Sequence, residues 1–506
     1  MTTIDNFLNK ITMYKLVLYG LFILVFVSIA FSLFGFIYYG AISLVGTLVL
    51  LFLTTYFSNF LFAKIFKVET NAESSAITAL ILFFILFPGK SFYDFLFIAL
   101  IGFLAMASKY IFAINKKHIF NPVAIAVFLP ALFGMGMGAW WVGSISLLAP
   151  VAILGFLILR KVRRFELFFS FLVTAILTNI LFAYTLGQNL TEVFMASFVS
   201  GPAIFFGSIM LTEPLTTPPT KKMQMVYGLL VGGLFGAQFN IGPIYSSPEL
   251  ALIVGNLFSF IISPKDKLVL KLVSKSTINA NGDVDEFRFE PNKKLSFKAG
   301  QYLEWTLGVN KPDSRGNRRY FTIASSPTEN EIKLGVKYYD KSSSFKLRLG
   351  ELKVGEKIYA GSLAGEFILP DDKAQKMVWI AGGIGVTPFR AMAKYIIDTE
   401  QKRDVVLFYS NKTSKDIAYK DIFDEAETKT GLRTLYVVNS AQESLKSNER
   451  VGMVTSEMIM KEVPDYKERI YFISGPHVMV EAFKDALNKM GIPKKNIKVD
   501  FFPGFV

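Results

Sequence analysis

Four consecutive residues in the second half of the chain carry chemical groups that suit a flavin nucleotide: Arg319, Tyr320, Phe321 and Thr322. A guanidinium can bind phosphate, an aromatic face can cover a flavin ring, and a hydroxyl can hydrogen-bond a ring nitrogen. Taken alone, the same residues also fit an ordinary edge strand. The segments around them favour the flavin interpretation.

A glycine-rich turn follows the apolar segment 376–381 and precedes a helical pattern over 389–399. Gly382, Gly383 and Gly385 let the backbone approach a pyrophosphate closely. We expect Thr387 to cap the helix and Pro388 to occupy its first position, where no amide hydrogen is needed. The helix N-terminus would then face the phosphates of a dinucleotide.

A second turn repeats this arrangement between a predicted strand over 469–473 and a predicted helix over 477–488. It contains Ser474, Gly475 and Pro476. Because strands alternate with helical patterns from residue 376 onward, we predict a parallel sheet. Small residues at the carboxyl ends of neighbouring parallel strands mark the edge where ligands bind.

Three further residues are candidate cofactor contacts. Ser343 and Ser344 lead into a helix-like segment over 345–349, whose N-terminal amides suit a pyrophosphate. A simple N-cap serine is the alternative at that position. Phe505, next to the last residue, could cover a flavin face or pack in the core.

The composition divides the chain into a membrane half and a soluble half. Hydrophobic residues make up 52% of the 506 residues and charged residues 19%, with a mean hydropathy of +0.41. The net charge of +14 does not indicate nucleic acid, because much of the basic excess flanks apolar spans. The absence of cysteine excludes disulfides, thiolate nucleophiles and every cysteine-held iron–sulfur cluster.

Ten apolar runs are long enough, or nearly so, to cross about 30 Å of hydrocarbon. They lie near residues 14–34, 37–62, 74–88, 91–109, 119–134, 142–160, 165–187, 191–211, 223–239 and 247–263. Lysine and arginine gather at the loops on one side, and Lys90 alone falls on the other. This bias predicts an integral protein of the inner or plasma membrane, in contact with lipid, whose termini and soluble domains are cytoplasmic.

Proline-containing motifs interrupt several spans, notably Asn121-Pro122, Gly201-Pro202 and Glu213-Pro214. Proline frees a backbone carbonyl, which is tolerated at membrane depth only where protein or a cavity satisfies it. Two blocks of five spans predict a five-plus-five inverted repeat. For the prolines, the alternative is that they are only kinks or loop punctuation.

At residues 120–124 and 210–218 the membrane half resembles a family formed by NqrB of the sodium-pumping NADH:quinone oxidoreductase and RnfD of the Rnf complex, over about residues 70–262. The resemblance implies a ten-helix, flavin-carrying module. The family's covalent attachment sequence, Ser-Gly-Ala-Thr, is missing from the loop 186–191, so we expect a second flavin, FMN or riboflavin, to be held non-covalently. Its candidate contacts are Asn121, Thr212, Glu213, Thr216 and Thr217; an interhelical hydrogen-bond network is the alternative.

The soluble half resembles the ferredoxin–NADP reductase family over about residues 265–506. The resemblance rests on segments 297–302, 319–322, 382–388, 474–476 and 500–505. It implies FAD in an antiparallel barrel, with Arg319 on a phosphate, Phe321 against the ring and Thr322 near flavin N5. Ser474 replaces the cysteine often found beside the nicotinamide and keeps a hydroxyl, so Thr322 and Ser474 are the catalytic candidates.

The choice of nucleotide depends on the loops after the next two predicted strands. NADPH-preferring relatives commonly place an arginine where this chain has Ala441. Arginine suits the 2′-phosphate, so NADH is favoured over NADPH.

We therefore predict a ten-helix membrane domain over 1–263, an FAD-binding antiparallel β-barrel over 264–370 and an NAD(P)-binding α/β domain with a parallel sheet over 371–506. Hydride would pass from NAD(P)H to FAD, and single electrons then to a membrane flavin, a quinone or a flavoprotein across the membrane. A redox-driven ion transporter and a reductase acting only at the cytoplasmic face are the alternatives.

Haem and metal sites are not expected, because haem in the membrane would need paired axial histidines and the membrane half contains only His118. We expect His118 and His477 to be structural. The sequence leaves open whether copies of the chain form a homo-oligomer.

Overall fold

The computed structural model describes residues 4, 7–8, 11–66, 72–114, 117–136, 138–263, 268–309, 313, 317–340, 342–439 and 447–500. By internal contacts the chain divides into two compact units, essentially Thr2–Lys265 and Asp266–Phe505. Ala441 and Phe505 lie outside the described residues, so the predictions made for them stay predictions.

The first unit is a bundle of apolar helices. They are α1 (Met13–Leu33), α2 (Ala41–Ile65), α3 (Ala72–Ile85), α4 (Phe92–Ile111), α5 (Pro122–Leu132), α6 (Leu148–Val162), α7 (Phe165–Thr185), the bent pair α8 (Leu190–Val199 and Ala203–Met210), α9 (Lys221–Gly236) and α10 (Pro248–Ile262). Within the described part of the chain, α1, α2, α4, α7 and α6 with its preceding turn are long and apolar enough to cross a membrane, and α8 would make a sixth. The polytopic helical membrane domain is confirmed, whereas ten crossings remain a prediction.

Helix contacts in this unit repeat in two blocks of five. In the first block α1 packs on α3, α2 on α4 and α4 on α5; in the second, α6 packs on α8, α7 on α9 and α9 on α10. The first helices of the two blocks, α1 and α6, also pack together, as do the last, α5 and α10. This pairing supports the predicted five-plus-five division.

Local sequence sets two of the interruptions that were predicted, Asn121-Pro122 and Gly201-Pro202. At the start of α5 the Asn121 side chain accepts hydrogen bonds from the amides of Val123 and Ala124, and Pro122 occupies the first turn. The halves of α8 meet at 46° around Gly201-Pro202. A Cβ on Gly201 would lie 2.1 Å from the carbonyl oxygen of Ala196, so the break requires glycine.

The second unit begins with a six-stranded antiparallel sheet: β1 (Leu268–Thr277), β2 (Val284–Pro291), β3 (Tyr302–Thr306), β4 (Arg318–Thr322), β5 (Ile332–Lys337) and β6 (Lys357–Ala364). Its strand order is β4-β3-β6-β1-β2-β5, and α11 (Ser344–Gly350) lies between β5 and β6 in the chain. All six strands were predicted from their short apolar runs. Trp305, Phe287 and Phe289 fill the core of this sheet.

A parallel sheet follows, with strands β7 (Met377–Gly382), β8 (Val405–Asn411), β9 (Arg433–Val438), β10 (Glu449–Val451), β11 (Ile470–Ser474) and β12 (Ile497–Asp500). Between them lie the helices α12 (Thr387–Asp398), α13 (Lys420–Thr430), α14 (Ser456–Glu462) and α15 (His477–Lys489). The order β10-β9-β8-β7-β11-β12 means that the chain builds outward from β7 and then returns to its other side. The switch point between β7 and β11 is where such sheets bind ligands.

Candidate active site

The two glycine-containing turns meet at this switch point. β7 and β11 pair in parallel up to Ala381 and Ser474, and each turn leaves its strand there. A Cβ on Gly385 would lie 2.6 Å from the Cα of Gly475, so the backbones of the two turns touch. Gly382 faces Pro476 in the same contact. The predicted meeting of these small residues at one sheet edge is therefore present.

The predictions that Thr387 caps α12 and that Pro388 is its first residue are both wrong by one position, because Val386 is the cap and Pro388 is the second residue. The helix begins at Thr387 itself, after a 3-10 turn over Gly383–Val386, and the Thr387 hydroxyl donates a hydrogen bond to the carbonyl of Ile384 at 3.3 Å. Gly383 enters that turn with a φ of +52°, which a glycine adopts without strain. The first amides of α12 have no side-chain cap, which leaves them available to an anion.

Asp500 connects β4, the strand that ends at Thr322, to the second turn. Its Oδ2 accepts hydrogen bonds from Thr322 Oγ1 at 3.2 Å and from Ser474 Oγ at 3.3 Å. Burial raises the pKa of Asp500 to about 7, and the two hydroxyl donors offset only part of that effect. A carboxyl group that titrates near neutral pH thus lies between the two catalytic candidates.

Sequence reasoning gave Asp500 no role. The available signal was its position at the carboxyl end of the last strand, beside the edge that carries Ser474. That neighbour relation depends on strand order, because β12 pairs with β11.

Arg319 and the start of α11 converge on one carboxylate. Arg319 Nη2 donates to the two carboxylate oxygens of Asp313 at 2.9 and 3.1 Å, and the Ser344 amide donates to Asp313 Oδ2 at 3.3 Å. Ser343 caps α11 by accepting from the Lys346 amide at 3.3 Å. A buried guanidinium and a helix N-terminal amide are the donors that a phosphate needs, so these residues fit the pyrophosphate of FAD, with the Asp313 carboxylate in its place.

Side chains alternate between the two faces of β4, which separates Tyr320 from Arg319 and Phe321. Phe321 packs 5.9 Å from the ring of Phe345, over which the Arg319 guanidinium also lies, so Arg319 and Phe321 share a face. Tyr320 points elsewhere and donates to Glu304 Oε2 at 2.8 Å. Contacts of Tyr320 and Phe321 with a flavin ring remain predictions.

Two ion pairs join the antiparallel sheet to the parallel sheet. Arg390 on α12 is 3% exposed; it binds the Glu329 carboxylate, with Nη2 3.1 Å from Oε1, and donates to the Ala324 carbonyl at 3.2 Å. Lys337 Nζ lies 3.0 Å from Asp416 Oδ1. Burial alone would raise the pKa of Glu329, but the Arg390 guanidinium, the Lys333 ammonium and the Ser326 amide together outweigh it and lower that pKa to about 2. The Arg390 pair fixes α12 relative to the segment that follows β4, and the Lys337 pair fixes β5 relative to the turn that follows β8.

The loops connected with nucleotide choice also meet, since the Asn439 amide donates to the Lys412 carbonyl at 3.1 Å. Residues 440–446 lie outside the described part of the chain. The preference for NADH stays a prediction.

In the membrane unit the Asn121-Pro122 and Glu213-Pro214 motifs come together. Glu213 Oε2 accepts from Asn121 Nδ2 at 2.8 Å, and Glu213 Oε1 lies 3.3 Å from His118 Nε2. The Thr216 hydroxyl donates to the same carboxylate at 3.3 Å, and the Thr217 hydroxyl to the Glu213 carbonyl at 2.9 Å. His118, which was expected to be structural, is part of this polar cluster.

Arg164, Asn256 and Tyr227 extend the cluster, and sequence reasoning missed all three. Arg164 Nη1 donates to the Thr212 carbonyl at 2.7 Å and to the Thr217 hydroxyl. The backbone N–H of Asn121 donates to Asn256 Oδ1 at 2.7 Å, and Asn256 Nδ2 donates to the Tyr227 hydroxyl at 3.0 Å. An asparagine inside an apolar span is a signal that could have found Asn256.

This fold and site define a flavoprotein oxidoreductase joined to a polytopic membrane domain. Residues 135–267 match the NQR2, RnfD, RnfE family, and residues 379–485 match the oxidoreductase NAD-binding domain. The chain therefore joins an NQR2/RnfD/RnfE membrane domain to a ferredoxin reductase-like domain, as the two resemblances implied.

Parts of the chain are similar to named proteins. The chain is 27% identical over 249 residues to NADH-cytochrome b5 reductase 1 of Ajellomyces capsulatus (47% of this chain, 78% of the relative). It is 25% identical over 239 residues to flavohemoprotein A of Dictyostelium discoideum (44% and 58%). The solved cytochrome b5 reductase domain of Ulva prolifera nitrate reductase aligns with 47% of this chain and 98% of its own at 22% identity and a TM-score of 0.41.

The chain is thus an integral membrane, NAD(P)H-dependent flavoprotein oxidoreductase that binds FAD.

Proposed function

We propose that this protein is a membrane-bound NADH dehydrogenase whose soluble unit passes electrons to a carrier in its membrane unit. The observation that carries the proposal is the convergence of Thr322, Ser474 and Asp500 within hydrogen-bond distance. It brings the flavin strand and the nicotinamide turn to one point. FAD, when bound, accepts a hydride and releases electrons singly.

The chain's own residues have separable roles in this proposal. Arg319 and the Ser344 amide hold the pyrophosphate of FAD, as they hold the Asp313 carboxylate. Thr322 orients the flavin edge, and Ser474 orients the nicotinamide. Asp500 carries a proton at its carboxyl group below about pH 7 and loses it above.

The nucleotide lies across the two turns at the switch point. Gly382, Gly383 and Gly385 bring the backbone close to its pyrophosphate, and Gly475 and Pro476 shape the opposite wall. The open first turn of α12, at Thr387 and Pro388, faces the negative charge.

The membrane carrier is a non-covalent flavin, FMN or riboflavin, or a quinone. We place it beside the polar cluster of Asn121, Thr212, Glu213, Thr216 and Thr217. The support is that these residues, far apart in sequence, form one network inside an apolar bundle, where polar groups are rare and commonly functional. Both termini and the soluble unit are cytoplasmic in this proposal, as the basic loops predict.

Flavin extraction from the purified full-length protein tests both sites. We expect FAD plus a second flavin in the wild type, loss of FAD alone in Arg319→Ala, and loss of the second flavin alone in Asn121→Ala. FAD as the sole flavin would leave quinone as the membrane carrier. Retention of FAD by Arg319→Ala would contradict the proposed pyrophosphate site.

Redox-driven ion movement is a second candidate function. The observation that favours it is the Glu213 carboxylate, which lies in the membrane unit with His118, Asn121 and Thr216 around it. Sodium or proton uptake by sealed vesicles after NADH addition would separate this function from electron transfer alone. Glu213→Gln should abolish the uptake and leave NADH:ferricyanide activity unchanged.

A further inference from the structure

A second glutamate of the membrane unit lies away from the proline motifs. Glu249, in the first turn of α10, is 5% exposed. Its Oε1 accepts a hydrogen bond from the indole Nε1 of Trp140 at 2.8 Å. Among the residues that the structure describes, no basic side chain lies within ion-pair distance of Glu249. The Ser247 side chain and the Glu249 backbone amide also hydrogen-bond the carboxyl group, and both are neutral. A buried carboxyl group with only neutral donors has no fixed reason to stay charged.

The segment around Trp140 packs closely against this carboxyl group. Trp140 adopts a φ of +47°, which is uncommon for a bulky residue. A Cβ on Gly138 would lie 2.5 Å from Glu249 Oε1, so a larger residue would displace the carboxyl group. The amides of Ala139 and Trp140 both donate to the carbonyl of Ile85, which fixes the segment on the end of α3.

Glu249 and the polar cluster lie toward opposite ends of the bundle. Asn121 precedes the start of α5, whereas Trp140 follows its end. On α10, Asn256 comes seven residues after Glu249, so both side chains lie on one face about 10 Å apart along the axis. Both are buried, and Asn256 contacts the Asn121 amide. The same helix face therefore leads from Glu249 to the cluster.

We propose that Glu249 is a proton-transfer residue that supplies a proton to the acceptor reduced in the membrane unit. This inference rests on the proposed transfer of electrons to a carrier there, here taken as a quinone, Q. The reaction NADH + H⁺ + Q → NAD⁺ + QH₂ balances when two electrons and two protons reach the quinone. Glu249 delivers one of the protons, passing from carboxylic acid to carboxylate, and regains it from water at its own end of the bundle.

Two features of the site suit this exchange. The N-terminus of α10 favours the carboxylate, since the amides of the first turn carry partial positive charge. Burial against Trp140 favours the carboxylic acid. The distance to Asn256 exceeds one hydrogen bond, so transfer along α10 requires intervening water.

The test compares two activities of the full-length protein in lipid vesicles: NADH:decylubiquinone, which needs the membrane unit, and NADH:ferricyanide, which reports the soluble unit. Glu249→Gln should slow quinone reduction by about tenfold or more, within the range of general acid catalysis, and leave ferricyanide reduction unchanged. Glu249→Asp should restore part of the quinone activity. Glu192→Gln, at an exposed glutamate of α8, is the matched control and should behave as wild type.

The two Glu249 variants separate proton transfer from a structural role. Glutamine keeps an oxygen for Trp140 but cannot ionise, whereas aspartate ionises but is shorter. Full quinone activity in Glu249→Gln, or equal losses in both variants, would overturn the inference and leave the proposed function standing. A wild-type protein that reduces ferricyanide but not decylubiquinone would also overturn the inference, and would leave a flavin as the carrier of the proposed function.

Discussion

The soluble and membrane units each hold a glutamate that is largely shielded from solvent, and the two glutamates have different partners. Glu329 in the soluble unit is bound by the guanidinium of Arg390, whereas Glu249 in the membrane unit is bound by the indole of Trp140. A guanidinium stays charged at every physiological pH and fixes its partner as a carboxylate. An indole donates to a carboxylate or to a carboxylic acid. The Arg390–Glu329 pair therefore suits a permanent structural ion pair. The Trp140–Glu249 pair suits a carboxyl group that exchanges a proton.

Asp500 shows the same rule within the soluble unit. Its partners are the hydroxyls of Thr322 and Ser474, which are neutral donors. Burial raises the pKa of Asp500 to about 7, while the pKa of Glu329, beside Arg390, falls to about 2. Two carboxyl groups of one unit thus differ in protonation because of their partners.

The largest effect on stability should come from breaking the Arg390–Glu329 ion pair. Arg390→Ala removes the buried guanidinium and leaves Lys333 as the remaining basic partner of the partly buried Glu329, and we expect the free energy of unfolding to fall by about 3 kcal/mol, at the low end for breaking a buried pair. Urea unfolding of the detergent-solubilised protein, followed by flavin release, measures this. Arg348→Ala removes a solvent-exposed pair with Glu356 and should leave the free energy of unfolding nearly unchanged. Equal effects of the two substitutions would show that the Arg390 pair is not a structural ion pair.

Acid should weaken the same ion pair by a somewhat smaller amount. The folded pKa of Glu329, about 2, lies below its unfolded value of about 4.3. Its contribution is therefore complete above pH 4.3 and is lost as pH falls through 2, a loss of about 2–3 kcal/mol. The difference in unfolding free energy between pH 5 and pH 2 measures it. Glu329→Gln should lower the stability at pH 5 and flatten this window; an unchanged acid dependence would contradict the assignment.

The smallest of the three effects concerns Asp500 and the pH dependence of activity. Below about pH 7 Asp500 is a carboxylic acid, and as pH rises through 7 it becomes a carboxylate. We expect NADH:ferricyanide activity to fall over that step in the wild type. Asp500→Asn should lower activity by about tenfold, at the low end for an acid–base group, and remove the step.

The folded pKa of Asp500 lies above the unfolded value of about 3.9, so the stability that it contributes is also lost as pH rises toward 7. Asp485→Asn, at an exposed position of α15, is the control and should keep the wild-type pH profile. A step that persists in Asp500→Asn would assign the titration to another group.

Much of the fold followed from short-range patterns. The six antiparallel strands, the two glycine-containing turns and the break at Gly201-Pro202 were all readable, because each depends on residues a few positions apart. The exception was local too: Thr387 was predicted to cap α12, but a 3-10 turn over Gly383–Val386 places it inside the helix.

The sequence by itself determined the two halves, the order of motifs along the chain and the chemical groups available to hold a flavin and a nicotinamide. The tertiary structure decided which of those groups touch. Thr322 meets Asp500 across 178 positions, Asn121 meets Glu213 across 92, and Trp140 meets Glu249 across 109. Local pattern fixes strands and helices, but the partner of a buried carboxyl group depends on how those elements pack. That partner sets whether the group stays charged or exchanges a proton.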